Sequence, residues 1–86
     1  MKREELISEI TDFCFKYRLF NKSVYMSEIK DKIEKGLNES DFIESLINTI
    51  IYKTRNQKNI DTEKLKKLLL ELEKIRLELE YANKST

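Results

Sequence analysis

The stretch from Asp61 to Ala82, DTEKLKKLLLELEKIRLELEYA, decides the fold. Leu65, Leu68, Leu72, Ile75, Leu79 and Ala82 recur at alternating steps of three and four residues. Side chains spaced this way stack into one stripe along a helix of about six turns. Leu69 widens the stripe, while Lys66, Lys67, Glu71, Glu73, Lys74 and Glu78 take the remaining faces. Propensity alone leaves an isolated helix marginal in water, so this one requires its apolar seam to be covered by other helices. The expected fold class is all-α: an antiparallel up-down four-helix bundle with a long C-terminal helix, in one domain over residues 1–86.

Working backwards, three more helices supply that cover. The first is expected from about Lys2 to Tyr17, with Leu6, Ile7, Ile10, Phe13, Cys14 and Tyr17 facing inward. Glu4 and Glu5 suit its positive end, and Lys16 and Arg18 its negative end. Asn21 or Ser23 is expected to open the next element. The second helix is expected from Val24 to Lys35, with Met26, Ile29, Ile33 and Tyr25 as apolar positions. Gly36 followed by Leu37 reads as a stop signal, a left-handed glycine with a hydrophobic residue folding back. Asn38 is the expected N-cap of the third helix. Phe42, Ile43, Leu46, Ile47, Ile50 and Ile51 then form a broad apolar face to about Arg55. The polar run Asn56 to Asn59 is a turn, Ile60 a staple, and Asp61 or Thr62 the cap of the fourth helix. The first and third helices are shorter than the fourth, so its last two turns, around Glu78 to Lys84, are expected to project beyond the others.

Composition narrows the function classes. The chain has 86 residues, with 40% hydrophobic and 38% charged, one Gly, no Pro, no Trp and no His. Little interrupts helix. Seventeen basic and sixteen acidic residues give a net charge of +1, whereas nucleic-acid binders usually carry a clear basic excess. No nucleic-acid partner is therefore expected. Cys14 has no second cysteine to pair with, which fits a reducing, cytoplasmic setting. Apolar runs reach only three residues, such as Leu68–Leu70, far short of a membrane span. Glu9 and Asp12 interrupt the first amphipathic pattern, so no export signal is read there.

No catalytic constellation emerges. Cys14 lies on the inward face of the first helix, where a cysteine is a small hydrophobe. The acidic pairs Glu4/Glu5 and Glu71/Glu73 do not share a helical face, and no Gly-rich phosphate loop exists. Neither enzyme activity, cofactor nor metal is expected. Two surface features remain. Lys53, Arg55, Lys58, Lys64, Lys66 and Lys67 crowd the third connection against Asp61 and Glu63. The bland reading is a solvated helix tip; the functional reading is contact with an acidic partner surface or anionic lipid headgroups. In addition, Leu70, Leu77 and Tyr81 form a second apolar line on the fourth helix. It either touches the first and third helices or meets a partner, a second copy of the chain included.

The run Leu46-Ile47, Ile51-Tyr52-Lys53 and Asn59-Ile60-Asp61-Thr62-Glu63-Lys64-Leu65-Lys66-Lys67-Leu68 resembles the section from third helix through polar turn to fourth helix of the pediocin-like (class IIa) bacteriocin immunity proteins. The resemblance covers about a third of the chain and is closest from Asn59 to Leu65. It implies a cytosolic four-helix bundle that protects a bacterium from a pore-forming peptide. The implied partner is the membrane-embedded mannose-phosphotransferase permease that the peptide targets, so peripheral membrane contact follows. In that family recognition lies largely in the C-terminal half, which here corresponds to Lys64, Lys67, Arg76, Leu77, Glu80 and Tyr81. The alternative is a small helical adaptor or regulator that binds another protein, or itself as a homodimer, through its C-terminal helix.

Overall fold

A computed structural model describes residues 1–20 and 25–84 and contains four α-helices. They are α1 (Arg3–Lys16), α2 (Met26–Gly36), α3 (Ser40–Thr54) and α4 (Thr62–Lys84). The expected start at Asn21, Ser23 or Val24 lies outside the described residues. α1 packs on α2, α3 packs on α4, and α1 meets α4. Hydrogen bonds at both ends fix the helix directions. Tyr17, at the end of α1, accepts from Gln57 Nε2 through its carbonyl (3.2 Å) and from the Asp61 N–H through its hydroxyl (3.0 Å). At the opposite end, Arg3 donates to Asn38 Oδ1 (2.7 Å), and the Ser40 hydroxyl donates to Glu80 Oε1 (3.2 Å). The helices thus alternate in direction, consistent with an up-down four-helix bundle.

One core lies between them. Leu6, Ile7, Ile10, Phe13 and Cys14 of α1 meet Ile29 and Ile33 of α2, Ile43, Leu46 and Ile50 of α3, and Leu68 and Leu72 of α4. Leu65, Leu69, Ile75 and Leu79 pack partly buried against this cluster, so the expected seam of α4 is the buried one. Its last member, Ala82, is exposed. Two threonines also lie inside. Thr11 and Thr54 each donate their hydroxyl to the carbonyl four residues back, Ile7 and Ile50, which removes the cost of burying the group.

Several local expectations need correction. Gly36 is the last helical residue of α2 and has no left-handed backbone. Its small size serves packing instead, because a Cβ there would overlap the ring of Phe42. The left-handed stop falls at Arg18, with φ 54°. The Arg18 N–H donates to Phe15 O and the Leu19 N–H to Cys14 O, while Leu19 is fully buried. That pattern is a Schellman motif with arginine at the glycine position.

Asn38 does not cap α3. Glu39, in extended conformation and without a side-chain cap bond, precedes Ser40, and Asn38 serves Arg3 instead. Asp61 does cap α4, since its Oδ1 accepts from the Lys64 N–H at 3.1 Å. Tyr25, Met26 and Ile51, read as apolar inward positions, are exposed. The C-terminal projection is also shorter than expected. Leu79 still packs on the core and Glu80 still reaches Ser40, so the fully exposed turn begins at Tyr81.

Candidate functional site

α4 carries the first candidate surface. Its seam faces the core, which turns the second line outward: Leu70 is 69% exposed, Leu77 52% and Tyr81 76%. These side chains do not fill the interior, so the reading in which they touch α1 and α3 falls away. Leu77 and Tyr81, with Glu78, Glu80 and Lys84, line a shallow, mainly apolar depression of about 490 Å3. Arg76 borders it. The Arg76 guanidinium donates through Nε (3.1 Å) and Nη2 to both carboxylate oxygens of Glu73, and through Nη1 to Glu80 Oε1 at 2.7 Å. These bonds hold the Glu73 carboxyl below its usual range. They also raise the Arg76 pKa, with the charges of Glu80 and Glu44 adding to the effect of Glu73. Arg76 and Glu80 are therefore tied into a fixed ionic strip beside Leu77, where Glu80 also accepts from Ser40 of α3.

The second surface is the end where α1 and α3 finish and α4 starts. Lys53 and Arg55 share a depression of about 620 Å3 with Arg18, Tyr52, Asn56 and Gln57. Lys58 is exposed in the turn, Lys67 is exposed on α4, and Lys64 is half-buried in its first turn. The nine residues expected to bind a partner thus fall into two groups. Lys53, Arg55, Lys58, Lys64 and Lys67 stand at one end; Arg76, Leu77, Glu80 and Tyr81 stand towards the other. From Lys64 to Tyr81 the helix rises about 25 Å, so the two groups do not form one site.

Arg18 joins the basic end without a local sequence signal, because only tertiary packing brings the end of α1 beside the α3–α4 turn. Tyr52 was within the family-like run but not among the expected binding residues. Its signal was available: it follows the inward positions Ile43, Leu46 and Ile50 off their helical period, and it is exposed.

The free cysteine is held in an inert setting. Cys14 is buried, and loss of hydration pushes its thiol pKa up to about 12, so it carries no thiolate near neutral pH. Among the described residues no group of three His, Cys, Asp or Glu side chains stands ready for a metal ion, and no helix is long and apolar enough to cross a membrane. What the arrangement offers is surface: one apolar line with an ionic border, and one basic end. No family model matches the chain, and neither a curated relative nor a solved structure matches it.

Proposed function

We propose that this protein acts by binding, through the outward line of α4, and that its binding confers immunity to a pore-forming bacteriocin at the permease the peptide attacks. The observation that supports a binding role is the exposed row Leu70, Leu77 and Tyr81 on the long C-terminal helix. Exposed apolar side chains aligned on one rigid element, beside fixed charges such as Arg76 and Glu80, have the anatomy of a recognition surface. The immunity reading adds the resemblance between Asn59 and Leu65, with Lys64, Lys67, Arg76, Leu77, Glu80 and Tyr81 as contact residues. The test is expression in a sensitive bacterium followed by challenge with pediocin-like peptides. Protection is expected, and it is expected to disappear in the Leu77→Glu/Tyr81→Glu variant at unchanged protein abundance. Unaltered sensitivity to every peptide of the class would remove the immunity reading.

A second reading keeps the same surface and changes the partner: a cytoplasmic adaptor or self-associating regulator. The exposed line itself favours it, because Leu70 and Leu77 lie one heptad apart, the spacing by which helices pair. Sedimentation would separate the two. A dimer that Leu77→Glu/Tyr81→Glu converts to monomer, in a protein that gives no protection, is the outcome expected from this second reading.

A further inference from the structure

The small net charge of the chain conceals a strong separation. The hydrogen bonds of Tyr17 to Gln57 and Asp61 gather the end of α1, the end of α3 and the start of α4 at one pole, and α2 begins there because it packs against α1 in the reverse direction. Among the described residues within about two turns of that pole, cations outnumber the carboxylates Asp12, Glu28, Asp31, Asp61 and Glu63 two to one. The opposite pole, with Glu4, Glu5, Glu39, Asp41, Glu44, Glu78 and Glu80 against Lys2, Arg3, Lys35, Arg76 and Lys84, carries a smaller, acidic excess.

The same basic pole holds five of the large apolar side chains that the fold leaves exposed: Phe15, Tyr25, Met26, Ile51 and Tyr52. Ile51 and Tyr52 sit three to four residues before Arg55, about 5 Å along the helix axis from it. Side chains at that depth reach the boundary between headgroups and acyl chains when a basic tip rests on a bilayer.

We propose that this pole is a docking surface for an anionic phospholipid bilayer. Arg18, Lys53, Arg55 and Lys58 meet the lipid phosphates, and Tyr52, Tyr25, Met26 and Ile51 enter the headgroup region. The charge selects an anionic surface. The apolar set selects lipid over nucleic acid, since Met26 and Ile51 gain nothing from a phosphodiester backbone but gain burial in a membrane interface. The proposal uses the pole rather than the α4 line, so it stands whichever protein that line binds.

The test is flotation of the full chain with vesicles of phosphatidylcholine alone or with about one third phosphatidylglycerol, at low and at high salt. Binding is expected to the anionic vesicles at low salt, with little to phosphatidylcholine and a marked loss in high salt. Lys53→Gln/Arg55→Gln is expected to weaken binding about 30-fold, the effect of removing two surface cations. Tyr52→Ser is expected to lower the fraction that persists at high salt. Lys35→Gln/Lys84→Gln removes as many cations from outside the pole and is expected to leave binding unchanged, with all variants keeping the wild-type circular dichroism. Equal loss in both double variants, equal binding to neutral vesicles, or affinity for a nucleic-acid duplex with vesicles untouched would each overturn the assignment.

Discussion

Two residues show how a side chain, or the lack of one, acts through neighbours remote in sequence. Gly36 normally invites a conformational explanation, yet its backbone is helical and the reason for glycine is the Phe42 ring lying against its Cα. Alanine is the better helix former by about 1 kcal/mol, but overpacking costs about 1–3 kcal/mol. Gly36→Ala is therefore predicted to destabilise the protein by up to about 2 kcal/mol in urea titration. Pairing it with Phe42→Ala should abolish that penalty in a double-mutant cycle; additive losses would refute the packing account. Cys14 makes a prediction about pH. In the folded protein its thiol stays largely neutral until the pH approaches about 12, whereas in the unfolded chain it ionises near pH 9. Above that lower value the unfolded state binds fewer protons than the folded one, so stability falls as pH rises, by up to about 1.4 kcal/mol per unit, and levels off once the folded thiol also titrates. Below it the group contributes no slope. Between pH 7.5 and 10, wild type should lose about 1.4 kcal/mol more than Cys14→Ala.

At the scale of the element, α4 has two apolar faces with opposite fates, and substitutions should separate them. Leu72→Ala empties a fully buried position and is predicted to cost about 2–5 kcal/mol. Leu70→Lys and Leu77→Lys, on the exposed line, should each stay within about 0.5 kcal/mol of wild type in the same urea titrations. If Leu77→Lys proved as costly as Leu72→Ala, the line would be structural after all. The sequence revealed this helix well, because a seam of six apolar residues at three- and four-residue steps has only one helical solution. It also narrowed the cap of α4 to Asp61 or Thr62, and Asp61 caps it, with its partner Lys64 three residues away. It failed where the deciding neighbour arrives from another element. Asn38 looked like a cap, but Arg3 claims its oxygen. The left-handed stop expected of Gly36 at the end of α2 occurs instead at Arg18 past the end of α1, where the only local trace is Leu19, a hydrophobic residue placed to fold back. Likewise the basic residues of the third connection were legible as a local run, while Arg18, which shares a depression with Lys53 and Arg55, was not.

For the whole molecule, the question is whether two helical hairpins behave as one body. α1/α2 and α3/α4 each pack closely, and they meet through α1 and α4. A domain of this length carries only about 4–13 kcal/mol of stability in total, and a single hydrophobic cluster draws on all four helices. Tyr17 bridges the hairpins directly. Its ring packs at 4.6 Å from that of Phe13, its carbonyl accepts from Gln57 and its hydroxyl from the Asp61 N–H. Neither hairpin keeps its core if the other leaves, so unfolding is predicted to be two-state. The near-ultraviolet tyrosine signal and the far-ultraviolet helix signal should give one urea midpoint. Leu72→Ala, although it lies in α4, should lower both midpoints by the same amount. Loss of about half the helix signal while the tyrosine signal survives would mean that α1/α2 stands alone. The contact between α1 and α4 would then be too weak to join the basic pole into one surface.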